Sequence, residues 1–325
     1  MATLQDVAVA AGVSPATASR ALSTPASVSM ERRHRVLEAA ERLGYRPNRS
    51  AQALASGRSG HIGLVVPDLA NPFFATVAKG VQSQARGAHR SVLVADTDED
   101  VRAEREIVDD LQPNVGGLLL CSPRMPEDEI RDAAARGPVV VVNREVAGLA
   151  SVSFDVASGV HAALAHLRAL GHTRVAYVGG PSTSWSDARR RAALTEVAGL
   201  EIVDVGGQRP IHQGGVAAAD LVIAAGATAV LAYNDLVALG VMARLHARGL
   251  SVPGDVSVIG FDDIPAAAYV SPALTTVALP LTRAGHEATT LLDGLDAAAE
   301  PPTVRLPVEL VVRDSTGPAA LPLKG

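Results

Sequence analysis

The sequence predicts two structural classes in one chain: an all-α helix-turn-helix headpiece, followed by an α/β domain of two doubly wound parallel-sheet lobes. Three observations carry this reading. The opening stretch holds short amphipathic segments punctuated by glycine and Ser-Pro signals. From His61 onward, runs of Val, Ile and Leu alternate with helical stretches. Charge divides at the same boundary, although the whole 325-residue chain carries only −5. Residues 1–58 hold eight arginines (Arg20, Arg32, Arg33, Arg35, Arg42, Arg46, Arg49, Arg58) against four acids (Asp6, Glu31, Glu38, Glu41), a balance of +4 that leaves −9 on the remainder. A basic head on an acidic body is the asymmetry expected when only the head meets a polyanion.

The headpiece reads element by element. Thr3 with Asp6 three residues on forms a capping-box start. Leu4, Val7, Ala8 and Ala11 then make one apolar stripe, and Gly12 stops the helix. Ser14 caps a second helix with Pro15 at its first position, where the missing N–H costs nothing. Ala18 and Leu22 face inward. A third helix runs from about Met30 to Leu43 after Ser29, with Val36, Leu37, Ala40 and Leu43 inward. Together these form a helix-turn-helix unit.

In the body, strands are predicted at 61–67, 91–96, 115–121, 139–143, 175–180, 227–233 and 255–261. Helices fall between them, around 74–88, 101–111, 127–136, 158–170, 187–198, 214–224 and 235–248. Continuous apolar strands alternating with helices imply parallel sheets covered on both faces. Such sheets place ligands beyond the carboxyl ends of their strands, and those ends carry polar or aromatic residues. They include Asn71-Pro72-Phe73-Phe74, Asp96, Cys121-Ser122, Asn143-Arg144, Trp185 with Arg190, Asn234 and Asp262. Aromatic faces with amides, carboxylates and guanidinium forks are the chemistry a sugar ring requires. Asp235 and Asp263 read as helix N-caps, and Trp185, in the polar run STSWSD, as a stacking residue. Cys121 reads as a small buried hydrophobe, and His172 as the close of a helix C-terminus.

With 48% hydrophobic and 19% charged residues, the composition is that of a folded globular chain. No apolar run approaches a membrane span, and the N-terminus lacks the pattern of a secretory signal. A single cysteine excludes an internal disulfide framework, so a cytoplasmic location is expected. The nine histidines show no metal-binding spacing, so neither metal nor cofactor is expected.

The segments TLQDVAVAAGVSPATASRAL, VSMERRHRVLEAAERLGYRPN and AQAL resemble the DNA-binding region of the lac repressor (LacI/GalR) family. Downstream, VPDLANPFF, VGGLLLC, VVVVNRE, LGHTRVAYVGGP, AYNDLVALGVM, VPGDVSVIGFDDIPAAAYVSPALTTV and LPVELVVRDST fit the same family in order. The resemblance implies a helix-turn-helix domain over 1–47, a hinge helix and linker over 48–60, and an effector-binding and dimerisation domain over 61–318. That α/β effector domain is similar to periplasmic sugar-binding proteins, with one lobe about 61–156 and 283–310 and a second about 157–282 plus the C-terminal part. Base-edge contacts fall by position on Pro15, Ala16 and Arg20, and phosphate contacts on Ser14, Thr17 and Ser19. Arginine reads guanine O6 and N7 with two bonds, whereas phosphate contacts fix register alone. In the hinge, Asn48 caps, Ala51 permits close helix contact, and Leu54 matches a leucine wedged into the minor groove. Effector contacts carry over to Phe73, Phe74, Asn143, Arg144, Asp155, Trp185, Arg190, Asn234 and Asp262. The chain departs from the common pattern at Val156, at Ala193-Leu194 and at Ala278-Leu279, all expected around the cleft.

The implied function is a ligand-responsive, sequence-specific transcriptional regulator, usually a repressor. Its expected partners are a palindromic double-stranded operator, a sugar or sugar derivative, and further copies of the chain in a homodimer or tetramer. A secreted sugar-binding protein would explain the body but not the basic head. A nucleotide-dependent or hydrolytic enzyme lacks its fingerprint, since no G-x-G-x-x-G, P-loop or G-x-S-x-G occurs where a strand would require it.

Overall fold

The computed structural model describes residues 2–23, 27–45, 60–295 and 300–319, and the chain divides into two units, 1–60 and 61–325. Three helices build the first unit: α1 (Leu4–Ala11), α2 (Pro15–Ser23) and α3 (Met30–Arg42). Thr3 and Asp6 close the capping box. The Asp6 amide donates to the Thr3 hydroxyl at 3.3 Å, and the Thr3 amide to the Asp6 carboxylate at 2.8 Å. Gly12, at φ +62°, ends α1 in a left-handed turn where a side chain would be strained. Ser14 then caps α2 by accepting from the Thr17 amide at 3.2 Å.

The headpiece core is small and built largely of alanine: Val7, Ala8, Ala11, Ala18, Ala21, Val36, Ala39 and Ala40. Leu37 and Leu43, expected inward, are 44% and 38% exposed, while Ala39 is buried. The inward stripe of α3 is the i, i+3, i+4 set that starts at Val36. Leu37 lies one step around the helix from it, and Leu43 sits at the C-cap. The hinge residues Asn48, Ala51 and Leu54 lie outside the described residues.

The second unit holds two six-stranded sheets. In the first, β1 (His61–Val66), β2 (Ser91–Asp96), β3 (Leu118–Cys121), β4 (Val139–Val142), β5 (Ala150–Phe154) and β11 (Thr303–Leu306) run parallel in the order β11-β5-β4-β3-β1-β2. In the second, β6 (Arg174–Gly179), β7 (Glu201–Gly207), β8 (Ala229–Ala232), β9 (Ser257–Asp262), β10 (Thr275–Ala278) and β12 (Glu309–Val311) take the order β12-β10-β9-β8-β6-β7. Only β12 is antiparallel there, against β10. Residues 309 and 310, expected in the first lobe, therefore belong to the second sheet. The doubly wound fold is as the sequence predicts, and β2 coincides with its predicted range.

Helices α4 (Pro72–Gly87), α5 (Val101–Leu111), α6 (Glu127–Arg136), α7 (Val156–Ala169), α8 (Trp185–Leu194), α9 (His212–Ala224), α10 (Asp235–Ala247), α11 (Pro265–Tyr269) and α12 (Leu281–Gly294) cover the sheets. The periodicity locates α5 and α6 to the residue. Sequence reading gave no separate element to β5, β7, β10, β11, β12, α11 or α12. The missed strands are short, serine- or threonine-bearing, or at sheet edges, and their pairing is supplied by the rest of the fold.

Each lobe joins a helix pair through glycine. In the first lobe α4 crosses α12, and a Cβ on Gly80 would overlap the Thr282 carbonyl while one on Gly285 would overlap the Val77 carbonyl. In the second lobe α9 crosses α10, with the same relation between Gly215 and Val237 and between Gly240 and His212. Backbones so close leave no space for a methyl group. Gly80→Ala or Gly240→Ala is expected to lower stability by at least about 1–3 kcal/mol in urea unfolding, the range for overpacking. Gly87→Ala, where a Cβ would meet nothing within 4 Å, should leave the midpoint unchanged or raise it. Equal midpoints for all three variants would show that the helices separate without cost.

Candidate functional site

Two surfaces gather the residues singled out by sequence. On the headpiece, Ser14, Pro15, Ala16 and Arg20 are exposed along the start and outer face of α2, and Thr17 and Ser19 are half-buried. The Arg20 Nε donates to the Ala16 carbonyl at 3.3 Å, laying the side chain along the helix with its guanidinium outward. An exposed arginine beside small residues on a second helix leaves room for close approach to a base edge.

The second surface is a cleft at the carboxyl ends of the strands in the 61–325 unit. It holds about 300 Å³, including the part open to solvent. Both lobes line it. From the first come Asn71, Phe73, Phe74, Glu99, Ser122, Arg124 and Asn143, and from the second Ser186, Arg190, Pro210, Tyr233, Asn234 and Asp262. Six sequence-predicted residues thus meet there: Phe73, Phe74, Asn143, Arg190, Asn234 and Asp262.

The apolar wall is made by Phe73 and Phe74, whose rings meet edge to face at 4.9 Å. They open α4, which Asn71 caps by accepting from the Phe73 amide at 3.0 Å. Both also belong to the core, so their orientation is fixed by packing. Asn143 takes a left-handed φ of +58° and donates from Nδ2 to the Ser122 hydroxyl at 2.9 Å. In the opposite lobe Asn234 caps α10, accepting from the Val237 amide at 2.9 Å and donating to the Pro210 carbonyl at 3.0 Å.

Arg190 and Asp262 are different in kind. The Arg190 guanidinium lies over the Phe261 ring at 3.9 Å and the Tyr233 ring at 4.7 Å, held by cation–π attraction. It is 3% exposed, and its Nε has no hydrogen-bond partner among the described residues. Asp262, 6% exposed at φ +115°, makes no side-chain hydrogen bond among the described residues. Burial pushes its carboxyl well above the ordinary carboxylate range, Arg190 opposes this, and the nearby Asp235 carboxylate adds to it. Left-handed non-glycine residues cluster at these strand ends: Asp98, Glu99, Ser122, Asn143, Asp262 and Asp263. Such conformations cost free energy and persist where surrounding structure enforces them.

Three predicted residues lie elsewhere. Arg144 turns under the Ser122–Met125 loop and donates from Nη1 to the Pro123 and Met125 carbonyls at 3.0 and 2.8 Å. Asp155 is the N-cap of α7. Trp185 is the first residue of α8, capped by Ser184, and stacks with Arg189 at 5.9 Å rather than lining the cleft. Asp96 ties its own loop to the turn after β1 by accepting from the Asp98 and Leu69 amides. Asp235 and Asp263 are not caps either. Asn234 and Ile264 hold those positions, and Asp263 pairs with Arg313 at 2.6 Å.

Sequence reading passed over Glu99, Arg124, Ser186, Pro210 and Tyr233. Tyr233 directly precedes Asn234 at a strand end and was within reach of the strand-end rule. Glu99 sits in the acidic run DTDED, which reads as solvated surface, and its partner is 25 residues away. Cys121 is fully buried, and burial pushes its thiol up to about 12, so it carries no nucleophilic chemistry at neutral pH. His172 accepts its predicted role, its amide donating to the Leu167 carbonyl, and also anchors Thr228 and Ser257 through its ring.

Known proteins match both parts of the chain. The profile of bacterial regulatory proteins of the lacI family matches residues 3–48, and that of periplasmic binding protein-like domains matches residues 164–316. The transcriptional regulator GalS of Salmonella typhimurium is 38% identical over 303 residues, covering 90% of this chain and 89% of its own. The chain belongs to the LacI family of bacterial regulatory proteins. The repressor CytR of Escherichia coli is 32% identical over 97% of this chain and 96% of its own. Among solved structures, the lac repressor dimer bound to operator and an anti-inducer superimposes with a TM-score of 0.82 at 29% identity, covering 97% and 99% of the two chains. A CelR–cellobiose complex gives 0.70 at 29% identity, covering 97% and 100%. As a LacI-family member, this protein is a ligand-responsive DNA-binding transcriptional regulator.

Below Asn234, the buried Asp235 accepts from the Thr276 hydroxyl at 2.5 Å and the Ile264 amide at 2.8 Å, tying α10 to β10 and to the turn after β9. Burial pushes its carboxyl up to about 7 against those hydrogen bonds, with Asp263 raising it further and Arg313 opposing. The folded state therefore holds this proton more tightly than the unfolded chain, whose carboxyl titrates near 3.9. Stability from this site is full below about pH 4, falls as pH rises, and levels off above about 7. Urea unfolding at pH 4 and pH 8 should show wild type losing a few kcal/mol relative to Asp235→Asn across that range. A gap between the two proteins that does not change with pH would refute the assignment.

Proposed function

We propose that this protein is a repressor whose operator binding is controlled by a sugar or sugar derivative held in the cleft between the two sheets. One observation carries the reading: Arg190 lies buried on Phe261 and Tyr233 beside Asp262, with donor and acceptor capacity the protein does not use. A guanidinium fork near a carboxyl group suits adjacent hydroxyls, which accept from the one and exchange hydrogen bonds with the other. Phe73 and Phe74 supply an apolar face for the C–H side of a ring. Solved relatives described as bound to ribose and to cellobiose support the class.

On the DNA side, Arg20, Pro15 and Ala16 read base edges, while Ser14, Thr17 and Ser19 take phosphates. Asn48, Ala51 and Leu54 form a hinge helix with Leu54 in the minor groove. Two copies place two such helices on the half-sites of a palindromic operator, in keeping with the operator-bound lac repressor dimer. A cytoplasmic location accompanies this, and no helix among the described residues is long and apolar enough to cross a membrane. The ligand acts by favouring one arrangement of the lobes, which shifts DNA affinity by its differential affinity for the two.

Arg190→Ala or Asp262→Ala should abolish the rise in melting temperature that wild type shows with its sugar, while operator binding persists. A normal ligand response in both variants would place the site elsewhere. Arg20→Ala should lower discrimination between operator and random duplex by about 1–3 kcal/mol in a competition gel shift. Retention of the full specificity ratio would remove Arg20 from base reading.

A further inference from the structure

A second guanidinium lines the cleft, and it arrives already neutralised. The Arg124 side chain is 3% exposed and Glu99 14%. Nε and Nη2 of Arg124 donate to the two Glu99 carboxylate oxygens at 2.6 and 2.9 Å, the parallel fork geometry of the strongest ion pairs. Two buried side chains of opposite charge build the loop that carries Arg124. The Glu104 carboxylate accepts from the Arg124 and Met125 amides at 2.8 Å each, and Arg144 holds the Pro123 and Met125 carbonyls from the other side. On Glu99's side, the consecutive left-handed residues Asp98 and Glu99 reverse the chain after β2. This is a preorganised pair, unlike a mobile surface salt bridge. Burial weakens the charge on Arg124, but Tyr233, across the cleft in the second lobe, and Glu99 more than restore it.

Given a sugar-type effector in this cleft, we infer that the Arg124–Glu99 pair is its charge filter, admitting an uncharged polyhydroxylated ligand and rejecting the phosphorylated form. With one N–H each of Nε and Nη2 on Glu99, and Tyr233 bonded to the same guanidinium, the N–H groups that remain can reach a ligand oxygen, and the Glu99 oxygens keep lone pairs for a hydroxyl proton. A hydroxyl uses both. A phosphoryl group brings about −1.5 to −2 charges, is mostly ionised and so a poor donor to Glu99, and must displace Glu99 to use the arginine fully. At this end of the cleft the cation is matched to a carboxylate.

The test is titration calorimetry on the full-length chain. Its probes are unphosphorylated pentoses, hexoses, disaccharides and nucleosides together with their monophosphate esters. Wild type should bind one uncharged member at least about tenfold more tightly than its ester, the scale of a like-charge mismatch at a binding site. Glu99→Gln keeps the side-chain size and the backbone conformation, and should shrink or reverse that ratio while retaining operator binding. Inorganic phosphate should raise the melting temperature of Glu99→Gln and leave wild type unmoved at matched ionic strength. Arg124→Gln should weaken the uncharged ligand. Equal affinity of wild type for sugar and ester, or an unchanged ratio in Glu99→Gln, overturns the filter while leaving the sugar reading intact. If no probe binds wild type, the sugar reading falls, and the phosphate comparison alone decides the filter: equal melting behaviour of the two proteins overturns it.

Discussion

A buried polar atom needs a partner, and the strand ends of this protein are organised by that requirement. Parallel strands bring their carboxyl ends to one side, where the chain must leave each sheet through a turn rich in unpaired amides and carbonyls. Buried ionisable side chains supply the missing partners. Glu104 takes two amides of the turn after β3, Arg144 takes two of its carbonyls, and Asp235 takes the Ile264 amide after β9. Asp187 does the same for the turn after β6, accepting from the Gly180 amide and the Tyr177 hydroxyl. Against this background Arg190 and Asp262 differ, since neither side chain hydrogen-bonds another described residue.

The same requirement explains why some of the site was legible in the sequence and some was not. Phe73, Asn143, Asn234 and Asp262 each lie at or just beyond a strand that apolar periodicity reveals, so the rule for ligand sites in parallel sheets reaches them directly. Arg144 satisfies the same rule yet faces the other way. One residue of turn separates a cleft ligand from a loop brace, and only the backbone course decides between them. Asp155 and Trp185 also begin helices but lie outside the cleft lining, whereas Asn234 caps a helix and lines it, so the course of each turn decides. The Glu99–Arg124 pair was out of reach, as nothing local ties the acidic run after β2 to the turn after β3.

At the level of fold, long buried strands and amphipathic helices were readable, whereas edge strands were not. β7 lacks alternation, with charges three residues apart at Glu201 and Asp204 and two closing glycines, and β11 and β12 are too short for a period to register. The glycine contacts between α4 and α12, and between α9 and α10, show a further limit. Gly80, Gly215, Gly240 and Gly285 sit inside helices, where propensity argues against them. Their presence is explained by how closely two backbones pass, a property of helix pairs that no single segment contains.

The composition of the cleft also bears on how ligand and DNA can be linked. A ligand that binds two arrangements of a protein equally shifts nothing, however tightly it binds. Contacts drawn from one lobe alone would be close to that case, because they survive any movement between lobes. Here the groups come from both: Phe73, Arg124 and Asn143 on one side, Arg190, Asn234 and Asp262 on the other. For the proposed cleft ligand, full contact requires one relation of the lobes, which makes much of its binding free energy differential. The Arg209–Asp98 ion pair, 3.5 Å across the same opening and largely exposed, adds little in water. That leaves the choice of arrangement to the ligand instead of fixing it in advance, which a switch requires.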